Sequence, residues 1–346
     1  MSQKILKIFS ILLVVFTLFS CTKESIDLNN LNETIIIRHK NADMPAYVHG
    51  NASEKVFLIL LHGGPGGTGL QYRLNTIKNQ LEENNVVVYF DQRGSGNSQG
   101  NYSESDVSVD LMAEDVLALT KVLKAKYGSE SRFFLMGHSW GGTLGPATLL
   151  KDQSDFMGWI NVDGSHDPKG VYDRYRNNFT NVANEQIALE NSVSYWNNVL
   201  SLVQNVSSDY NDDDFFKMNR ESNKAHEILT QDLGLNQENT DVDNGFTYNF
   251  FTISWNTTKI QSILIEKGLF KDVSYTNQLS NITIPSLILW GKHDMNVPLS
   301  YAYEAYNNLG SNDKELVIFE KSTHSPMFSE PNLFANKVID FINQHK

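Results

Sequence analysis

The chain has 346 residues, 40% of them hydrophobic and 20% charged, with a formal net charge of −12. That length buries one large core, and the composition fits a globular enzyme rather than a disordered or fibrous chain. The acidic balance argues against nucleic acid or anionic lipid as a partner, and the single cysteine, Cys21, excludes an internal disulfide and a thiol nucleophile elsewhere.

Lys4 and Lys7 precede a mostly apolar run over residues 8–19, too short to span a bilayer comfortably but suited to the core of a signal peptide. It ends in Leu18-Phe19-Ser20-Cys21, a small residue before a cysteine, which resembles a bacterial lipobox. Residues 1–20 are therefore expected to be a lipoprotein signal peptide, with Cys21 lipidated and residues 21–33 a polar tether. The mature protein would sit in the cell envelope, anchored on the extracytoplasmic side of a bacterial membrane. A plain secretory signal with an incidental cysteine is the alternative.

Residues 34–39 and 46–49 read as antiparallel leading strands. Apolar runs at 56–61 and 86–90 read as buried strands, with a helix over 75–83 between them. Residues 106–127 carry Leu111, Val116, Leu119, Val122 and Leu123 at helical core spacings. Strands at 132–136 and 159–162 come next. The alternation predicts an α/β fold, a mostly parallel sheet with helices on both faces. It lapses over residues 165–281, which are polar, acidic, rich in aromatics and helical in pattern. It resumes with a strand at 286–290, a helix at 301–308, a strand at 314–319 and a helix at 331–343. The middle segment is expected to be a helical cap inserted into a core of residues 34–164 and 282–346; a tandem domain is the alternative.

The sharpest chemical signal is Gly137-His138-Ser139-Trp140-Gly141-Gly142, which follows the apolar run 133–136 and leads into a helix. The G-x-S-x-G pattern at a strand-to-helix turn is that of a nucleophile elbow, with Ser139 lifted above the sheet. A serine needs a base to take its proton and a third group to orient the base. In this architecture the partners follow in the order serine, acid, histidine, each after a later strand. Asp294 lies just past the strand at 286–290, and His324 lies past the strand at 314–319. Asp163, at the end of an earlier core strand, is an alternative acid. His293 reads as a loop residue.

An anionic tetrahedral intermediate needs N–H donors. Trp140, the residue after the nucleophile, offers one backbone amide. The loop His62-Gly63-Gly64-Pro65-Gly66-Gly67 offers the second, assigned to Gly64; this loop lacks the lysine and hydroxyl residue of a phosphate-binding P-loop. His62 reads as a packing residue. In Asp91-Gln92-Arg93-Gly94-Ser95-Gly96-Asn97-Ser98 we expect a buried Asp–Arg network bracing the site. The histidines are scattered and no paired metal-ligand spacing occurs, so no metal site is expected. Tyr195, Trp196, Phe250 and Phe251 are candidates for an apolar substrate pocket in the cap.

These three motifs, at 62–67, 91–98 and 137–142, together resemble the proline iminopeptidase (prolyl aminopeptidase) family of α/β-hydrolases. The resemblance covers residues 34–164 and 282–346. It implies a serine peptidase that releases N-terminal residues, often proline, from short peptides, without a cofactor. It further implies that acidic cap residues bind the substrate's free amino group, for which Glu185, Glu190 and Glu221 are candidates. The expected activity is hydrolysis of an amide through an acyl-enzyme. A carboxylesterase or other amide hydrolase with an apolar acyl pocket is the second reading, and a noncatalytic ligand-binding lipoprotein the third.

Overall fold

The computed structural model of the protein describes residues 27–239, 241 and 250–346. The expected signal peptide, Cys21 and the first part of the tether lie outside the described residues. Among the described residues no helix is long and apolar enough to cross a membrane.

Nine strands among the described residues form one sheet: β1 (Leu31–His39), β2 (Ala42–Gly50), β3 (Val56–Leu61), β4 (Val86–Phe90), β5 (Gln99–Gly100), β6 (Arg132–His138), β7 (Phe156–Val162), β8 (Ser286–Gly291) and β9 (Lys314–Phe319). The order is β1-β2-β4-β3-β6-β7-β8-β9, with β5 beside β2. The leading hairpin β1–β2 is antiparallel and meets β4 antiparallel. From β4 to β9 every pairing is parallel. In β3 and β4 every residue is buried, as a strand covered on both faces requires.

Alternate residues of the central strands feed two separate cores, the period of two that a pleated strand imposes. Phe57, Ile59, Leu61, Phe133 and Leu135 pack with α2 (Val109–Tyr127), α3 (Gly141–Lys151) and α9 (Ser300–Asn308). Val56, Leu58, Leu60, Phe134 and Met136 pack on the other face with α1 (Asn75–Asn84) and α10 (Pro331–His345).

Between β7 and β8 the chain leaves the sheet and runs through α4 (Val171–Ala188), α5 (Val193–Asn205), α6 (Asp212–Leu233), α7 (Phe250–Glu266) and α8 (Leu269–Asp272). Helix α6 starts sharply because Asn211 caps it and Asp212, Asp213 and Asp214 oppose its dipole; it ends at Gly234 in a left-handed conformation. The parallel strands all end at one rim. There β3 opens into the glycine loop, β6 into Ser139, β7 into Asp163, β8 into the Asp294 loop and β9 into the His324 loop. Such a rim is where open α/β sheets bind ligands.

Candidate active site

Ser139 sits between β6 and α3 with φ +56°, a strained conformation for a residue bearing a side chain. Three hydrogen bonds hold it there: its N–H donates to the Val162 carbonyl at 3.0 Å, and its carbonyl accepts from Gly142 at 2.8 Å and Ser165 at 3.0 Å. The turn is too tight for side chains at its flanks. A Cβ on Gly137 would lie 2.3 Å from the Gly141 carbonyl oxygen, and one on Gly142 2.2 Å from the Gly164 Cα.

His324 Nδ1 lies 2.7 Å from Asp294 Oδ2. The other Asp294 oxygen accepts from the amides of Asn296 at 2.7 Å and Val297 at 2.9 Å. This buried carboxylate is thus fixed by its own loop, and it orients the imidazole with Nδ1–H towards itself. The opposite nitrogen is left to accept a proton, and His324 and Ser139 line the same cavity of about 290 Å³.

The glycine loop supplies the other wall of that cavity. The Gly63 amide donates to the Tyr72 hydroxyl at 2.8 Å, which leaves Gly64 as the next donor. Among the described residues neither the Gly64 nor the Trp140 amide has an acceptor, and both residues line the cavity. The indole of Trp140 donates to Gln92 Oε1 at 2.8 Å, tying the elbow to the loop after β4.

Two buried imidazoles, His62 and His138, and the partly buried His226 stand near the site, and desolvation lowers the pKa of each. His62 is pushed down to about 4, its Nδ1 2.7 Å from the Gly63 carbonyl oxygen. His138 is pushed down to about 3. His226, pushed down to about 4, accepts from the Met295 amide at 2.8 Å. Sequence reasoning passed over His138, Tyr72 and His226. Nothing in their spacing marks them, and their partners come from distant loops.

The aromatic lining differs from the expected one. Tyr175, Phe215 and Phe270, on α4, α6 and α8, face Ser139 across the cavity. Phe215 stacks on Tyr175 at 5.8 Å and 11° and meets Phe270 at 4.2 Å. Tyr195 and Trp196 do not line it. Trp196 is fully buried within the cap and packs edge-on against Tyr195 at 4.8 Å, because the apolar face of α5 turns towards α4. Phe251 is 83% exposed on α7, and the Phe250 side chain lies outside the described residues.

The expected Asp–Arg network also divides in two, since residues two apart on this turn point different ways. Asp91 gathers donors from Thr68, Gly69 and Asn97 within 2.9 Å. Arg93 instead reaches α2 and pairs with Asp115 through two bonds of 2.7 and 2.8 Å.

A second, polar cavity of about 460 Å³ opens on the other side of His324. His324 and Asn296 line both cavities. The polar one carries Glu227 and Glu238, not Glu185, Glu190 or Glu221. Burial pushes the Glu238 carboxyl up, while His324 and a bond to Ser325 pull it back.

The family model described as alpha/beta hydrolase fold matches residues 56–331. The chain is 24% identical over 314 residues to a probable aminopeptidase, YbaC, of Bacillus subtilis, covering 88% of this chain and 94% of that protein. It is 27% identical over 289 residues to a proline iminopeptidase of Saccharolobus solfataricus, covering 83% and 84%. Among solved structures it resembles the proline iminopeptidase of Mycobacterium smegmatis, with a TM-score of 0.58 and 16% identity over 90% of this chain and 98% of that one. An esterase from Exiguobacterium antarcticum has the same TM-score, with 18% identity over 90% and 100%. The match over most of the chain, the parallel sheet and the elbow at its rim agree: this protein belongs to the α/β-hydrolase fold family.

Proposed function

We propose that this hydrolase is a serine aminopeptidase acting on short peptides with a free N-terminal amine. Ser139 attacks the carbonyl as His324 takes its proton. Asp294 orients the imidazole and stabilises the imidazolium. The Gly64 and Trp140 amides receive the developing oxyanion. His324 then returns the proton to the leaving amine, and water hydrolyses the acyl-enzyme by the same steps.

The observation that carries the peptidase reading is the carboxylate-bearing cavity beside His324. An ammonium group leaving water needs a counter-ion. Glu238 and Glu227 line a cavity that shares His324 with the aromatic one. A substrate spanning both would place its amine near the carboxylates and its carbonyl near Ser139. Relatives named aminopeptidase and proline iminopeptidase support the same reading.

The test compares alanyl and prolyl arylamides with their N-acetylated forms, in wild type and Glu238→Gln. The reading expects free-amine substrates to be preferred at least about tenfold, and Glu238→Gln to raise KM for them alone. Equal turnover of acetylated and free substrates would contradict it. The neutral aromatic lining of Tyr175, Phe215 and Phe270 favours the second reading, an esterase for apolar acyl groups. Short acyl esters turned over without any arylamide activity would select it. We read Cys21 as the lipidation site that tethers either enzyme to the cell envelope; loss of membrane fractionation in Cys21→Ala is the check.

A further inference from the structure

Asp163 closes β7 at the same rim as Asp294, one strand away. Its backbone is left-handed, with φ +43°. Its amide donates to the Leu289 carbonyl at 3.0 Å, and its Oδ1 accepts from the Gly291 amide at 2.8 Å. Both bonds lock it onto β8, the strand that leads into the Asp294 loop. The residue is wholly buried, and its Oδ2 accepts no hydrogen bond. One of its oxygens, a ring nitrogen of His138 and a ring nitrogen of His324 all lie within 4.8 Å of one another.

An ionised carboxylate in that position would be poorly supported. The groups facing it are Asp294 from the loop after β8, His324 from the loop after β9 and the neutral His138 from β6, with Glu238 further off. None is a fixed cation. Asp294, by contrast, has every oxygen engaged by an amide or an imidazole. Burial first and the Asp294 charge second push the Asp163 carboxyl well above the usual carboxylate range. Of two carboxyls so close, one keeps its proton.

We propose that Asp163 is a reserve acid of the triad: a buried carboxyl that keeps its proton while Asp294 is ionised, and that ionises and orients His324 itself when Asp294 cannot. In that second role its proton passes to solvent, and a shift of a few ångströms brings the carboxylate to the imidazole. Asp163 is thus a positioning residue, acting through Asp294 or His324. The inference rests on Ser139 being the nucleophile, so the experiment carries a separate control for that.

Asp294→Asn, Asp163→Asn, the double variant and Ser139→Ala are assayed from pH 5 to 10 on alanine p-nitroanilide and p-nitrophenyl acetate. Wild-type turnover abolished by Ser139→Ala establishes the nucleophile on its own. Losing a sole orienting carboxylate costs about 10⁴ in kcat, the magnitude known for the chymotrypsin triad. With a reserve acid, Asp294→Asn loses only about 10² and regains activity as pH rises and Asp163 ionises. The double variant then falls about 10² further and shows no such rise. Asp163→Asn alone lowers kcat by no more than about tenfold, since asparagine tolerates the positive φ, keeps an oxygen for the Gly291 amide and leaves Asp294 in place. A double variant no worse than Asp294→Asn overturns the proposal, as does an Asp294→Asn profile without the alkaline rise. If the variants at Asp163 fail to fold by thermal melting, that profile decides alone, because Asp294→Asn retains Asp163.

Discussion

The Nε2–H of His138 donates to the main-chain carbonyl of His324, 2.9 Å away. On its other side, His138 Nδ1 accepts from the Tyr72 hydroxyl at 2.7 Å, and that hydroxyl accepts from the Gly63 amide at 2.8 Å. The proton order is forced: a carbonyl can only accept, so a neutral His138 must carry its hydrogen on Nε2. One side chain next to Ser139 thereby couples the glycine loop to the histidine loop. Tyr72→Phe strands the Gly63 amide and His138 Nδ1 in the interior, at about 1–3 kcal/mol. We expect kcat to fall about tenfold with KM little changed, because the loop amides lose their aim rather than the cavity its shape. Steady-state kinetics at matched stability check this; an unaltered kcat removes Tyr72 from the account.

Acid should unfold the protein through its neutral imidazoles. His138 and His62 are held at about 3 and about 4 by burial, whereas an unfolded histidine titrates near 6.5. Below that pH the unfolded chain binds more protons, so the stability is present above about pH 6.5. It is lost as pH falls towards the folded values, at about 1.4 kcal/mol per pH unit for each group. Asp163, raised by burial, acts with the opposite sign and favours the fold at low pH. Denaturant titrations at pH 7, 6 and 5 should show stability falling, and His138→Gln should remove one proton's worth of the slope. An identical slope in the variant would mean that His138 is not the group responsible.

Cap helix α7 holds the loops that face Ser139. Thr257 Oγ1 donates to the Gly66 carbonyl at 2.6 Å, and Gln261 Nε2 to the Pro65 carbonyl at 2.9 Å. Asn256 Nδ2 donates to the Gly96 carbonyl at 3.0 Å. Gly66 has φ +100°, and a Cβ there would lie 2.7 Å from the Thr257 Cα. Gly66→Ala should therefore push α7 off the loop and lower kcat by about 10²-fold, more than Gln261→Leu, which should cost about tenfold. Kinetics of both variants decide; equal, small effects would show that α7 does not set the loop's position.

The core strands were legible because a strand covered on both faces must be apolar throughout. The runs at 56–61 and 86–90 stand in the structure at those residues; the edge strand at 314–319, polar at its start and only partly buried, does so too. Ser139, Asp294 and His324 could be singled out because each sits in a loop that follows a recognisable strand. The cap resisted reading for a different reason. Its cavity draws Tyr175, Phe215 and Phe270 from three helices, and only packing decides which aromatic faces inward. Trp196 has the same composition signal and is spent on the cap's own core. The Arg93–Asp115 pair escaped notice because it spans two elements with no local pattern linking them.

The most direct test of the central claim is labelling with a fluorophosphonate probe, followed by mapping of the modified peptide. If Ser139 is the activated nucleophile, the probe attaches to that residue in the wild-type protein. Labelling disappears in Ser139→Ala and falls at least about 10²-fold in His324→Ala, where no base remains to take the proton. A wild-type protein that folds but takes no label, or takes it at another residue, would contradict the account.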